Sequence, residues 1–341
     1  MSTLTTAPAH VGTTVAPPHE QLHTLINVGV VSRALQVVAD LGIADHIEEE
    51  AVSAAVLATA CGVDAGALDR VLHLLADCGV FEHVEPGYRH NDASRLLRSD
   101  HPGSMRAFAQ MQGLPVFYNV YGHLDYSVRT GTPALQLVDD RGLFAYLTDH
   151  PEEARVFDRA MTAKAVGDTS AILAAYDFSG LATIADIGGG RGHLLRAVLD
   201  TVPEARGILF DLPHVVAALP ELGARLVTQA GDFFVDPLPA ADAYVLMEVV
   251  HDWPDAEATA ILRAVRRAAP PGARVLIIEN ILDGDRADAR GRTLDIVMLA
   301  VTGGRERTGR QLDELLRKAG FSHTRVIDTM GPLRIAEGAA A

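Results

Sequence analysis

The sequence predicts an α/β fold preceded by a separate, mostly helical N-terminal domain. Three observations support this prediction. Up to about residue 165 the apolar residues recur at helical spacing, whereas after residue 180 short apolar segments alternate with helical ones. A glycine-rich segment follows the first of these apolar segments. With 341 residues, the chain is also too long for one ordinary hydrophobic core.

The N-terminal half combines a tail, long helices and a small module. Residues 1–19 predict a disordered tail, because they have neither the basic start nor the apolar run of a signal peptide. Residues 20–170 predict a helical domain. Within it, residues 53–91 have the pattern helix, turn, helix and two short strands, which is the outline of a winged helix.

A winged helix raises the alternative of a DNA-binding regulator. Residues 1–100 contain five arginines, no lysine and thirteen acidic residues. The second helix of the module carries Arg70 next to Asp69, with Asp77 further on. DNA phosphates would be repelled by this surface, so we expect a packing or dimerisation module and no nucleic-acid partner.

Residues 171–341 predict a mostly parallel sheet. Five apolar segments alternate with helical stretches, namely LATIADI, RGILFDL, ARLVTQA, AYVLMEV and RVLIIEN. Such alternation is typical of parallel strands joined by crossover helices. Two further segments, TRVIDT and LRIAEG, flank MGP and predict a hairpin that adds antiparallel strands.

Composition and charge favour a small-molecule ligand. The formal net charge is −15, which opposes binding to nucleic acids and anionic membranes. Only Cys61 and Cys78 are present, too few for a disulfide framework or a cysteine-rich metal site. No uninterrupted apolar run is long enough to span a bilayer, so we expect a cytoplasmic protein without a membrane partner.

The segment IADIGGGRGHLL, residues 184–195, places a glycine loop between a strand and a helix. Such loops bring backbone amides close to a ligand, here around Gly188 and Gly190. A dinucleotide motif would require glycine where the chain has His193, and a P-loop would require a lysine that is missing. Asp186, at the end of the strand, fits a cationic ligand better than a pyrophosphate.

Acidic residues also follow the next two strands. Asp211 can accept hydrogen bonds from ribose hydroxyls, and Asp232 with Phe233 suits the edge and face of an adenine. S-adenosylmethionine carries an ammonium, a sulfonium, a ribose and an adenine but no phosphate. These residues therefore predict S-adenosylmethionine as the cofactor.

The motifs DIGGGRG, FDLP, GDFF, HDWPD, IIEN and GGRERT occur in this order along the chain. In this arrangement the sequence resembles plant-type and actinobacterial small-molecule O-methyltransferases, the family of caffeic acid O-methyltransferase and the polyketide-tailoring methyltransferases. The resemblance implies a Rossmann-like, seven-stranded methyltransferase domain. It also implies a winged-helix-like dimerisation domain that closes over the substrate pocket, a homodimer and an aromatic small-molecule acceptor.

His251, after the fourth strand, is the candidate general base. A phenol with a pKa of about 10 needs help to lose its proton, and imidazole titrates near neutral pH. The resemblance implies that Glu279 and Glu306 flank and orient His251. One histidine and two carboxylates could also bind a metal, but the resembling family works without one, so we expect no metal.

The resemblance also implies the remaining contacts. Leu212 and Trp253 would lie at the cofactor, and Met247 stands where plant members have a cofactor-contacting lysine. Met161 and Met298 would line the acceptor pocket, although either could equally fill the core. Apart from the resemblance, we expect Asp252 to be structural or to contact the cofactor or the acceptor, rather than to act as a second base.

Altogether the sequence predicts a metal-independent O-methyltransferase of specialised metabolism that acts on an aromatic hydroxyl. Near Met298 the segment LAVTGGR is one residue shorter than in plant members and lacks their asparagine. Two alternatives stay open. One is N- or C-methylation, or a cofactor-binding relative with altered chemistry; the other, less favoured, is the winged-helix regulator.

Overall fold

The computed structural model describes residues 17–219, 223–283 and 289–341. By compactness the chain divides between Ser94 and Arg95. Of the tail predicted over residues 1–19, residues 1–16 lie outside the described residues. The first helix begins at Pro18, within the predicted tail.

The first compact unit contains the predicted winged-helix outline. Its elements are α1 (Pro18–Leu41), a 3-10 helix (Ile43–His46), α2 (Ala54–Cys61), α3 (Ala65–Asp77), the antiparallel strands β1 (Glu82–Val84) and β2 (Gly87–Arg89), and the start of α4 (Asp92–Arg95). The side chains of Ser53 and Asp64 cap α2 and α3 by accepting backbone N–H bonds. Left-handed glycines end α1 and α2, at Gly42 and Gly62.

Helix α1 has an exposed apolar surface, which bears on the expectation that no segment spans a bilayer. By length and composition alone, α1 could cross a membrane. Within the part of the chain that the structure describes, 22% of its most apolar 18-residue window is buried. Length and composition fit equally well a helix whose apolar residues are covered by another protein surface. The exposed apolar side chains are Leu22, Leu25, Ile26, Val28 and Val30.

The second unit begins with a helical layer. Its helices are α5 (Arg106–Gly113), α6 (Pro115–Gly122), α7 (Leu124–Thr130), a 3-10 helix (Ala134–Leu137), α8 (Leu143–Asp149) and α9 (Pro151–Ala175). Together with α13 (Ala289–Val301) they enclose one apolar cluster. The predicted domain boundary at residues 170/171 falls within α9 and stays a prediction.

The sheet confirms the predicted α/β architecture. Its strands are β3 (Thr183–Ile187), β4 (Arg206–Asp211), β5 (Leu226–Ala230), β6 (Ala243–Met247), β7 (Arg274–Glu279), β8 (Phe321–Asp328) and β9 (Arg334–Ala340), in the spatial order β5-β4-β3-β6-β7-β9-β8. Strands β3 to β7 run parallel, whereas β9 is antiparallel to β7 and to β8. The remaining helices are α10 (His193–Thr201), α11 (Pro213–Ala217), α12 (Asp255–Ala268) and α14 (Gly309–Ala319).

Both faces of the central strands are buried. In β6, Tyr244 and Leu246 belong to the apolar cluster that includes residues of α12 and α14. Ala243 and Val245 belong to the opposite cluster, which includes residues of α10. Alternate side chains of a strand point to opposite faces, so β6 is apolar throughout, as the sequence indicated.

The chain reverses its direction across the sheet at β3. From β3 it moves outward to β4 and β5, and then returns to place β6 on the other side of β3. In open α/β sheets ligands bind at this switch point, beyond the carboxyl ends of the strands. The glycine loop after β3 and His251 after β6 both lie at this edge.

Candidate active site

The glycine loop is shaped by backbone conformations and by close contacts. Gly188 and Gly190 have φ angles of 69° and 58°, in the left-handed region that favours glycine. A Cβ on Gly189 would lie 2.4 Å from Cγ of Asp186 and 2.5 Å from Cδ1 of Leu209. The loop therefore folds tightly over the carboxyl group of Asp186.

Asp186 is a buried acid without a complete set of partners. Asp186 is 3% exposed, and its Oδ1 has no hydrogen-bond partner among the described residues. Burial, together with the charge of Asp211, raises the pKa of Asp186 to about 7. A cationic group beside it would stabilise the carboxylate, which fits the ligand type predicted from the sequence.

Asp211 ties the glycine loop to the end of β4. Its Oδ2 accepts a hydrogen bond of 2.7 Å from the backbone N–H of Gly190, and its Oδ1 accepts one of 2.7 Å from Leu212. Burial still raises the pKa of Asp211 above its usual range. The structure thus brings together Asp186, Gly190, Asp211 and Leu212, four of the residues predicted to bind the cofactor.

A group of aromatic rings surrounds Trp253. Phe233 and Phe234 meet it edge-on, with ring centroids 5.8 and 4.7 Å away, and Phe144 of α8 stacks on it at 6.2 Å. Oδ1 of Asp232 accepts the backbone N–H of Phe234 at 2.9 Å. Phe144 was missed in the sequence, because nothing in its neighbourhood there links it to a residue 109 positions later.

His251 lies on a 3-10 helix (Val250–Asp252) directly beyond β6. Its Nδ1 is 2.7 Å from Oε1 of Glu306, and its backbone N–H donates to Oε1 of Glu279 at 2.8 Å. All three residues are almost fully buried. Oδ1 of Asp252 is 3.8 Å from Nε2 of His251. The structure therefore assembles the three residues predicted to be catalytic, with Asp252 beside them.

The acids around His251 decide its protonation. Burial lowers the pKa of the imidazole, but the hydrogen bond to Glu306 and the charges of Asp252 and Glu279 outweigh it and raise the pKa to about 10. Burial raises the pKa of Glu279 to about 7 and that of Asp252 to about 6. These acids therefore favour the protonated form of His251.

The segment 304–307 follows the backbone around His251 closely. A Cβ on Gly304 would lie 2.0 Å from the carbonyl oxygen of His251, so the position requires glycine. The backbone N–H of Arg305 donates to the same oxygen at 2.8 Å, and that of Glu306 donates to Oδ1 of Asp295 at 2.9 Å. In the motif GGRERT, Gly304 therefore allows the chain to lie close to the backbone of His251, and Glu306 supplies the carboxylate that holds the imidazole.

Arg307 is a buried clamp that the sequence analysis missed. Its guanidinium donates to the carbonyl oxygens of Val250 and Trp253, at 3.0 and 2.7 Å, and to Oδ1 of Asp255 at 2.9 and 3.0 Å. These bonds grip the chain on both sides of His251. A fixed fork of donors suits this task, whereas a lysine offers a single point charge.

A buried ion pair between Lys164 of α9 and Glu248 was also missed. Glu248 directly follows β6 and has a φ angle of 54°. Met247, before it, packs on the apolar cluster of β3 and α10. Met161 packs against the helical cluster and Met298 is buried on α13, but no described contact connects either methionine with His251.

Among the described residues, no group of three or more histidine, cysteine or acidic side chains has the arrangement of a metal site. The metal alternative left open by His251, Glu279 and Glu306 therefore has no support from the geometry. Glu306 is held at Nδ1, and Glu279 meets the backbone of His251 rather than its ring.

Two family models match the chain. One, described as the O-methyltransferase domain, matches residues 121–322, and the other, described as the O-methyltransferase dimerisation domain, matches residues 24–100. The first spans the aromatic group, the glycine loop and the segment with Arg307. The second spans most of the first compact unit.

Several characterised proteins are similar over most of their length. Phenazine O-methyltransferase PhzM of Lysobacter antibioticus is 39% identical, over 90% of this chain and 92% of that protein. The 8-amino-8-demethylriboflavin N,N-dimethyltransferase of Streptomyces davaonensis is 41% identical, over 66% of this chain and 67% of that protein. The crystal structure of LaPhzM superposes with a TM-score of 0.89 at 38% identity, covering 96% of this chain and all of that one.

We expect Arg307→Lys to lower kcat by roughly 10- to 100-fold, because small displacements of a reacting group cost that much. Trp253 is the only tryptophan and its carbonyl is held by Arg307, so its fluorescence emission should also shift. The control is Arg305→Lys, since the Arg305 side chain is exposed. Wild-type kcat and emission in Arg307→Lys would contradict the clamp.

Proposed function

The chain belongs to the O-methyltransferase family, and on that premise we propose that it methylates a hydroxyl group of an aromatic small molecule. It is an enzyme that depends on S-adenosylmethionine. The observation that carries the proposal is the buried pair of His251 and Glu306 at the end of β6, where a base can meet an acceptor hydroxyl. The phenazine methyltransferase supports an aromatic acceptor.

The cofactor fits the glycine loop. The partnerless Oδ1 of Asp186 provides a site for a positive charge, and the turn at Gly188 and Gly190 leaves no side chain in the way. Asp211 keeps lone pairs on both oxygens for ribose hydroxyls, because each oxygen accepts one backbone N–H. We assign the adenine end to Asp232, Phe233 and Trp253, and a flanking contact to Leu212 and Met247.

When bound, S-adenosylmethionine supplies an electrophilic methyl group on its sulfonium. His251 removes the proton of the acceptor hydroxyl as the hydroxyl oxygen bonds to the methyl carbon and the bond from that carbon to sulfur breaks, which leaves S-adenosylhomocysteine. Glu306 occupies Nδ1, so Nε2 is the atom that takes the proton. Glu306 then stabilises the imidazolium, while Glu279 holds the backbone of His251 in place.

The pKa of His251 suits an acceptor that is a phenol. The pKa of the buried imidazole, about 10, is close to that of a phenol, which is also about 10. A base whose pKa is raised towards that of a phenol is a stronger proton acceptor, but only its unprotonated form can take the proton. The protonated His251–Glu306 pair must lose the proton on Nε2 of His251 before methylation. Rising pH therefore favours the reactive form of the pair.

We assign the acceptor side to Met161, Met298 and Asp252. The methionines present polarizable thioethers, which suit the face of an aromatic ring. Asp252 lies beside Nε2 of His251 and is partly exposed, so it can contact the acceptor next to the reacting hydroxyl. No metal takes part in this proposal.

Methylation of an aromatic amine is the second candidate, because the riboflavin-derived N,N-dimethyltransferase is among the similar proteins. An amine attacks with its lone pair and loses its proton afterwards, so it depends less on a base. A hydroxyl depends on the base from the start. The buried His251–Glu306 pair therefore favours the hydroxyl.

We further propose that the protein is a homodimer that uses α1. The dimerisation model covers residues 24–100, and the exposed apolar side chains of α1 need a covering surface. A second copy of α1 would cover them without a membrane. The two cysteines are free, which supports a reducing, cytoplasmic location.

The proposed reaction is tested with a panel of matched phenols and anilines, followed by mass spectrometry. We expect methylation of phenols, and a loss of roughly 10²- to 10⁴-fold in kcat for His251→Ala, the range typical of a general base. Binding of S-adenosylhomocysteine by calorimetry should be unchanged. Wild-type turnover by His251→Ala, or methylation confined to anilines, would sink the assignment.

The pH profile tests the role of Glu306. With a pKa of about 10, His251 is mostly protonated at pH 7, so kcat/KM should rise with pH up to that value. Glu306→Gln removes an interaction that stabilises the imidazolium, so the pKa falls and the rise should move to lower pH. The maximal rate should fall, since the ring is less well held. A rise at an unchanged pH would show that Glu306 does not act on His251.

Light scattering tests the dimer. The wild type should have about twice the mass of one chain, 36.3 kDa, in buffer without detergent. The double variant Leu25→Glu and Ile26→Glu places charges on the apolar surface of α1 and should give the mass of one chain. Val227→Glu, at another exposed valine, is the control. A wild type that is monomeric, or that requires detergent, would refute this interface.

A further inference from the structure

Helix α9 touches the segment of the glycine loop through two side chains that lie one helical turn apart. Oγ1 of Thr162 is 3.2 Å from Nε2 of His193, the first residue of α10. Oδ2 of Asp158 is 3.7 Å from Nη2 of Arg191, within the loop. Residues four apart share one face of a helix, so two contacts hold this face of α9 to the loop. The proposed mechanism uses neither of them.

His193 is the residue at which the chain departs from a dinucleotide motif, which would have glycine there. A glycine could not reach α9, whereas the imidazole does. Burial and the charges of Arg196 and Arg191 lower the pKa of His193, so its ring is neutral at pH 7. A neutral imidazole has one N–H and one lone pair, and a hydroxyl can bond to either. The contact with Thr162 is therefore available in both tautomers.

Other sides of the same turn of α9 face the acceptor side and the base. Met161, next to Thr162, packs against the helical cluster and is assigned above to the acceptor. Lys164 pairs with Glu248, which lies three positions before His251. Helix α9 therefore stands between the glycine loop, the helical cluster and the segment that carries the base.

This turn of α9 is loosely packed. Five successive residues, 161–165, are all half-buried. Five residues point in every direction around a helix, and a surface helix normally has one buried and one exposed face. Gly167, further along α9, also lowers the intrinsic stability of the helix. The position of the turn therefore depends on the few side-chain contacts that it makes.

We propose that α9 couples the two ligand sites. A bound cofactor holds the glycine loop, the loop holds α9 through Thr162 and Asp158, and α9 in turn holds Met161 against the acceptor ring. Thr162 and Asp158 are positioning residues in this proposal, because they act through other residues. The inference rests on the cofactor and acceptor placements proposed above.

The glycines of the loop give a physical reason for the coupling. Gly188 and Gly190 have left-handed φ angles, and glycine loses more conformational freedom on ordering than any other residue. The first ligand to bind bears the cost of ordering the loop and α9, so the second ligand binds more tightly. Each ligand should then strengthen binding of the other by the same factor.

Hydrogen exchange measured by mass spectrometry tests the link between the loop and α9 without an acceptor. S-adenosylhomocysteine should slow exchange by about 10-fold in peptides that cover residues 158–165, as well as in those that cover the loop. Thr162→Val keeps the shape of the side chain but removes the hydroxyl. In this variant the slowing in α9 should be mostly lost, while the slowing in the loop remains.

Two further variants control this experiment. Thr162→Ser restores the hydroxyl and should restore the slowing in α9. Thr169→Val is the matched control in the same helix, because the hydroxyl of Thr169 donates to the carbonyl oxygen of Ala165 rather than to another element. Thermal unfolding shows whether each variant keeps its fold.

Calorimetry measures the coupling itself, with the phenol of the panel above that is methylated fastest. The affinity of the wild type for this phenol should rise by about 10-fold when S-adenosylhomocysteine is bound. In the double variant Asp158→Asn, Thr162→Val the factor should fall close to one, although each ligand alone binds nearly as in the wild type. A merely structural role would weaken each ligand singly and leave the factor unchanged.

Three results would overturn the proposal. They are exchange that slows in the loop but not in α9 of the wild type, equal behaviour of Thr162→Val and Thr169→Val, and an unchanged coupling factor in the double variant. A wild type that does not bind S-adenosylhomocysteine would refute the cofactor placement and this inference with it. A wild type that binds no phenol would refute the proposed acceptor alone, because the exchange experiment needs no acceptor.

Discussion

The active site depends on one buried hydrogen bond, between Nδ1 of His251 and Glu306. A carboxylate without a partner would be unstable at this depth, and burial would likewise oppose a charged imidazole. Together they form a pair in which each stabilises the charged form of the other. Because this bond occupies Nδ1, Nε2 is the ring nitrogen that remains for the proposed proton transfer. The backbone of the whole segment around His251 is arranged to keep the pair closed.

That arrangement uses one short stretch of chain. Gly304 allows the approach to the backbone, the N–H of Arg305 holds a carbonyl oxygen, and Arg307 grips the peptide groups before and after the base. Arg307 is fully buried, and its hydrogen bonds to carbonyl oxygens and to Asp255 offset the cost of removing its charge from water. The same contacts therefore hold the local fold and the geometry of the residues proposed to be catalytic.

The site holds more buried negative than positive charge. Asp186, Asp252 and Glu279 have raised pKa values because burial is not offset by enough cations. A cofactor with a sulfonium and an ammonium is the type of ligand that such a site lacks.

The sequence by itself determined the sheet and the glycine loop, and it predicted His251 as the candidate base. Strands β3 to β7 were predictable because short apolar segments alternate with helical ones, and β8 and β9 because two apolar segments flank a turn. The loop was predictable because left-handed turns favour glycine at Gly188 and Gly190. The resemblance to the family added Glu279 and Glu306 as the predicted partners of His251. Only the tertiary structure decided the partners of side chains that are distant along the chain. Lys164 meets Glu248, Phe144 stacks on Trp253 and Arg307 reaches Val250 because packing of α8, α9 and the 304–307 segment on the sheet edge brings them together. No local pattern encodes such contacts, since they depend on the angle and depth at which whole elements pack.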